Sequence, residues 1–347
     1  MKINDRIFSN ELRAKFSSKN HFELLNIDRE LDGLIAAGVS LEWKGDILWF
    51  FPENSNLYEA RSKLRMWLNL TGSEREVIIF PLPFGDPYVD NSIYPDFHIE
   101  KFKFFKMRLN RQPIIIIATI LSASIGFEEP DEVESMILRV RVKKKTGRDQ
   151  LIAKLYDMGY SHSNYVDGPG EFHKRGGILD IFPSGTEYPV RIEFFGDEIE
   201  SITSFDPVTR RSVGQLDVAE IPIYGLFGKE MILNDLLLQK NIKPLTEILK
   251  NLKLIYSDKL AVERSSEESS ENFRKIYRLN PGSGIKEPDD LFSEISRDHP
   301  YLDISWKTDE VTSKTELKKL KKNLREFKTE DLEELKTISY KQNMFLL

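Results

Sequence analysis

Three short, almost wholly apolar runs stand in the first third of the chain: residues 47–51 (ILWFF), Val77–Phe80 (VIIF) and residues 114–118 (IIIIA). Continuous apolar runs of this length predict strands buried on both faces, as in a parallel sheet. Helical stretches fall between them at residues 57–68 and 98–109. The second carries an apolar stripe of Ile99, Phe102, Phe105, Met107 and Leu109. Strand–helix alternation predicts right-handed βαβ units in an open sheet over residues 1–128. The most apolar stretch, residues 113–127, is too short to span a bilayer and reads as a buried strand running into a short helix.

The texture changes after Glu128-Glu129-Pro130-Asp131. Leu138, Val140 and Val142 alternate with Arg139, Arg141 and Lys143, the period of a half-exposed strand. A helix over 148–158 follows, stopped by Gly159. Five short strands then crowd together: GEFHKR, GGILDIFP, PVRIEFFG, EIESITSF and VAEIPI. Turns at Pro183-Ser184-Gly185, Gly196-Asp197 and Asp206-Pro207 join them into an antiparallel sheet, so residues 129–225 form an α+β block. Residues 226–347 read as mostly helical and polar. They hold one strand-like run at 253–256 (KLIY), a Ser/Glu-rich linker at 264–272, and balanced Lys and Glu over 313–336 that suit a solvated helix face. The lone strand could return to the first sheet, which would make the middle block an insertion.

Composition narrows the chemistry. A chain of 347 residues is long enough for two or three domains, and the absence of cysteine excludes zinc-ribbon, iron–sulfur and thiol chemistry. The five histidines (His21, His98, His162, His173 and His299) include no i, i+4 pair, so neither a metal site nor a cofactor is expected. A formal charge of −6 argues against broad binding of duplex nucleic acid. The first residues mix both charge signs without an apolar core, so no signal peptide is expected and a cytoplasmic protein is.

Candidate catalytic motifs are weak. A phosphate loop needs glycines so that backbone N–H groups can cradle phosphates, and a lysine to reach the outer ones. The nearest match runs from Gly33 through Gly38 and Val39 to Ser40, with Val39 in the lysine position. Valine offers neither charge nor donor, so this stretch reads as an ordinary helix or a degenerate remnant. Asp258, after the KLIY run, is a poor substitute for a magnesium-binding Asp-Glu pair, because Lys259 follows it; a turn is the plainer reading. The cations Arg139, Arg141, Lys143, Lys144, Lys145 and Arg148 lack interleaved aromatics, so a solvated face competes with a nucleic-acid or acidic-partner patch. In Val190–Phe195, alternation places Val190, Ile192 and Phe194 on one face and Arg191, Glu193 and Phe195 on the other. That leaves an aromatic beside an arginine, the residue types of binding hot spots, unless the block's own helix covers Phe195.

The run RGGILDIFPSGTEYPVRIEFFGDEIESITSFDPVTRRS, residues 175–212, closely resembles the middle domain shared by bacterial transcription-repair coupling factor (Mfd) and the UvrB subunit of the excision nuclease. Its wording is nearer the coupling factor, and weaker likeness extends over about residues 25–310. The resemblance implies a degenerate helicase-like parallel-sheet α/β domain with an inserted α+β antiparallel-sheet domain and a mostly helical C-terminal part. It further implies a non-catalytic module that recruits UvrA in transcription-coupled nucleotide-excision repair. The family's partner-contacting positions fall on Arg175, Arg191 and Phe195. RNA polymerase and DNA would be engaged only through domains that these residues do not include. Residues 81–97, with only Tyr88 and Tyr94, are short beside the tyrosine-rich damage-binding hairpin of UvrB. Two alternatives stay open: a UvrB-like ATP-dependent DNA enzyme, and an autonomous DNA-binding protein.

Overall fold

The computed structural model describes residues 8–27, 29–80, 95–124, 127–128, 130–224, 242–243, 245–276 and 286–306. The chain opens with α1 (Asn10–Ser17), whose first turn is capped by Ser9 Oγ accepting from the Leu12 N–H at 3.2 Å. It continues through β1 (Phe22–Ile27), α2 (Asp32–Glu42), β2 (Ile47–Phe50), α3 (Leu57–Thr71), β3 (Val77–Phe80), α4 (Pro95–Leu109), β4 (Ile115–Ala118) and α5 (Ile120–Ser124). The apolar runs are therefore strands, and every residue of β2, β3 and β4 is buried.

The chain then leaves this layer through β5 (Phe127–Glu128), α6 (Pro130–Ser135) and β6 (Ile137–Arg141). Next come α7 (Arg148–Asp157) and β7 (Ser161–His162), β8 (Glu171–Arg175), β9 (Ile178–Ile181), β10 (Val190–Phe195), β11 (Glu198–Phe205) and β12 (Ser212–Gln215). These six strands form one sheet in the order β12-β11-β10-β9-β8-β7, antiparallel except between β7 and β8. Leu151, Ile152 and Leu155 of α7 pack on one face against Leu179, Ile181, Ile192 and Ile202. The run VAEIPI, expected within this sheet, instead forms β13 (Val218–Pro222) and pairs with β6 alone. That pairing joins the segment entering the block to the one leaving it. A second short pair does the same nearer the parallel sheet, where β14 (Ile242–Lys243) meets β5.

The chain re-enters the first layer through α8 (Leu245–Ile248), β15 (Lys253–Ser257), α9 (Lys259–Ile276), α10 (Pro288–Asp298) and β16 (Tyr301–Trp306). The parallel sheet has the order β1-β16-β15-β2-β4-β3, so the KLIY strand lies between β16 and β2. Alternate residues feed two cores. Ile47, Trp49, Ile115 and Ile255 face α1, α2 and α3, while Leu48, Phe50, Ile116 and Leu254 face α4, α9 and α10. Two expectations fail here. The strand β16 alternates Leu302, Ile304 and Trp306 with Asp303 and Ser305, so it lacks the continuous apolar run that marks β2, β3 and β4. The Ser/Glu-rich stretch at 264–272 is no linker but the middle of α9. Its serines suit close packing: Ser266, Ser269 and Ser270 are buried, and Ser270 Oγ donates to Asp289 of α10 at 2.8 Å.

Candidate protein-docking face

The outer face of the antiparallel sheet, away from α7, is built by alternation along the strands, with register shifts in the β10–β11 pairing between Glu193 and Phe194 and in the β11–β12 pairing between Ser204 and Phe205. Register pairs His173 with Asp180, Asp180 with Arg191, and Arg191 with Thr203, giving one polar row across four strands. In the next row Arg175 pairs with Ile178, Ile178 with Glu193, and Glu193 with Ser201. Phe195 ends β10 on the same face and is 80% exposed. The alternative that α7 covers it is therefore excluded, because α7 packs on the opposite face. Strands β8 and β10 run in the same direction, so Arg175 and Phe195 reach the same end of the sheet. Arg191 lies four residues back along β10, ~13 Å away.

The three predicted residues differ in how they are held. Arg191 is pre-set: its guanidinium makes a two-point pair with Asp180 at 2.8 Å in both contacts and stacks over Phe205, 5.1 Å from the ring centroid. The Asp180 hydrogen bond holds the guanidinium's pKa above its ordinary value. Arg175 has no hydrogen-bond or ion-pair partner among the described residues, and its side chain is open to solvent. Behind it, the Gly176-Gly177 turn is pulled against β10, where the Phe194 N–H donates to the Gly177 carbonyl at 2.8 Å. A Cβ on Gly177 would sit 3.0 Å from the Phe194 carbonyl, so glycine permits this approach. Arg148, at the start of α7, braces the same turn by donating to the Gly176 carbonyl. Sequence reasoning missed Asp180 and Arg148 as supports. Asp180 was legible from its alternation with Leu179 and Ile181, but its pairing with Arg191 needs the register.

The basic run at 139–148 is partly consumed by internal pairing. Arg139 pairs with Glu134 and Glu220, and Arg148 with Asp149. Arg141, Lys143, Lys144 and Lys145 remain on the exposed side, in keeping with a solvated face.

The stretch Gly33, Gly38, Val39 and Ser40 is not a loop of any kind. It lies inside α2, and residues 33–40 are all buried. Its glycines serve close packing: a Cβ on Gly33 would come within 2.9 Å of Lys63, and one on Gly38 within 2.6 Å of the Phe8 and Phe16 rings. The connection with the topology of a phosphate loop is the one after β2, residues 51–56, which reads Phe-Pro-Glu-Asn-Ser-Asn and has neither glycine nor lysine. There Glu53 turns inward, Oε1 accepting from the Leu121 N–H at 3.0 Å, while burial pushes its carboxyl up to about 7. Asp258 caps α9, its Oδ1 accepting from the Ala261 N–H at 3.1 Å. Tyr88 and Tyr94 lie outside the described residues.

Residues 138–224 match the family described as UvrB interaction domain. The chain carries a UvrB-like module. It is similar to the UvrABC system protein B of Francisella tularensis subsp. tularensis, 30% identical over 225 residues, which are 62% of this chain and 32% of that protein. It is 28% identical over 214 residues to the protein of the same name from Methanococcoides burtonii, covering 59% of this chain and 32% of the relative. With the Halobacterium salinarum protein the identity is 35% over 125 residues, 35% of this chain and 18% of the relative. The chain thus spans less than a third of the length of these curated relatives. The matched family spans the whole face that holds Arg175, Arg191 and Phe195. No helix among the described residues is long and apolar enough to cross a membrane.

Proposed function

We propose that this chain is a non-catalytic interaction module that docks UvrA through the outer face of its antiparallel sheet. One observation carries the reading. Within the part that matches the UvrB interaction domain, one end of the sheet presents both an aromatic ring and an unpaired arginine to solvent. Phe195 would enter an apolar pocket of the partner, with Arg175 and the exposed part of Arg191 on carboxylates at its rim. The role in transcription-coupled repair, as in the coupling factor, rests on the wording of residues 175–212. The buried helix at 33–40 and the glycine-free turn at 51–56 support a module without nucleotide chemistry.

Titration calorimetry against purified UvrA tests this, with Arg175→Glu, Arg191→Glu and Phe195→Ala variants alongside. Binding by the parent that Arg175→Glu and Phe195→Ala each weaken is the expected result. A folded parent that does not bind would overturn the proposal. Arg191→Glu is the less clean variant, because it also sets a carboxylate against Asp180.

A further inference from the structure

The N-terminal ends of β2, β4 and β15 open into a cavity of about 570 Å³, at the opposite end of the parallel sheet from the 51–56 turn. Its floor is an ion pair that is nearly closed. Asp46 takes both Arg108 guanidinium nitrogens, at 2.6 and 3.0 Å, and the N–H groups of Ile114 and Lys250, at 3.1 and 2.6 Å. Arg108 donates once more, to the Gln112 carbonyl. Its side chain is only 6% exposed, yet its Nε–H has no acceptor. That Nε–H is sealed from solvent beneath the cavity wall, so the pair forms a fixed floor rather than a mobile one.

The charge comes from the surroundings. Lys44, Arg111 and Lys250 line the cavity, and no hydrogen bond or ion pair engages their charged ends among the described residues. Asp131 and Glu247 also line it, so these three cationic side chains face two acidic ones once Asp46 and Arg108 cancel. Arg75 holds the Gly45 end of the lining in place, spending its guanidinium on the carbonyls of Ser40, Trp43 and Gly45. The floor is also rigid, because Gly45 is pressed so tightly on Asn251 that a Cβ would sit 1.9 Å from its carbonyl oxygen. The volume is that of a small-molecule pocket.

We propose that this cavity binds a phosphoryl group, carried either by a small phosphorylated molecule or by a nucleic-acid strand. Several separate cationic heads around a single space suit a group with three or four oxygens better than a two-oxygen carboxylate. The site is independent of the docking face and of the usual ligand position at the carboxyl ends of parallel strands.

Calorimetry with inorganic phosphate and fluorescence anisotropy with a short single-stranded oligonucleotide test the proposal on the full chain. An Arg111→Gln/Lys250→Gln variant removes two cationic heads that support nothing in the fold. A Lys144→Gln/Lys154→Gln variant makes the same charge change on the inserted block. Binding of phosphate that the first variant weakens tenfold or more, and the second leaves unchanged, is the expected result. The same dependence for the oligonucleotide alone would support the site and assign the phosphate to a strand. Equal loss in both variants would reduce the effect to general charge attraction and overturn the site. So would a lack of binding by both probes, or a preference for a glutamate-rich peptide over both.

Discussion

Arg191 and Asp180 face each other across β10 and β9 in a two-point ion pair, both contacts at 2.8 Å, with the arginine laid over Phe205. The pair orients a residue of the proposed docking face before any partner arrives, which would lower the entropy lost on binding. The arginine side chain is a third exposed, so the pair adds no more than about 1 kcal/mol to stability. Asp180→Asn should therefore leave the melting temperature within a few degrees of the parent while weakening UvrA binding several-fold. Equal affinity for parent and variant would show that orientation of Arg191 does not matter.

Phe195 makes the opposite prediction, because it supports nothing. At 80% exposure its removal should change folding stability by less than about 0.5 kcal/mol. Its loss from a hot spot should cost about 2 kcal/mol or more in binding, roughly thirtyfold. Denaturant melts and titrations of Phe195→Ala against UvrA separate the two effects.

The packing role of Gly38 can be tested without any ligand. A methyl group there would meet the Phe8 and Phe16 rings at 2.6 Å, so α1 or α2 must shift to admit it. Gly38→Ala should destabilise the fold by about 1–3 kcal/mol, despite alanine's better helix propensity. Greater stability in a thermal melt would return these glycines to the status of a remnant.

Glu53 sets a pH dependence. Burial raises its carboxyl from 4.5 to about 7, so between these values the folded chain binds more protons than the unfolded one. The stability linked to this group is fully present below pH 4.5 and is lost as the pH rises through about 7. Glu53→Gln removes the titration and should flatten that fall, leaving the variant more stable than the parent at pH 8. Parallel stability curves for the two proteins would show that Glu53 does not titrate in this range.

Much of this architecture follows from local pattern, because burial dictates residue type. Strands sealed on both faces must be apolar throughout, so β2, β3 and β4 are visible as ILWF, VIIF and IIIA. A strand with one solvated face must alternate, so the side on which Arg191 and Phe195 lie is readable from VRIEFF alone. Where packing depends on what lies opposite, the pattern falls silent. GLIAAGVS can be read locally as an ordinary helix, but nothing local explains its two glycines, which are needed only because Phe8, Phe16 and Lys63 press on them. The serines of α9 look like a linker until α10 covers them. The buried Asp46–Arg108 pair likewise exists only because strand ends far apart in sequence bring the N–H groups of Ile114 and Lys250 onto Asp46. Residue type and period are set by whether a position meets water; which groups meet each other is set by long-range register, and that only the tertiary structure decides.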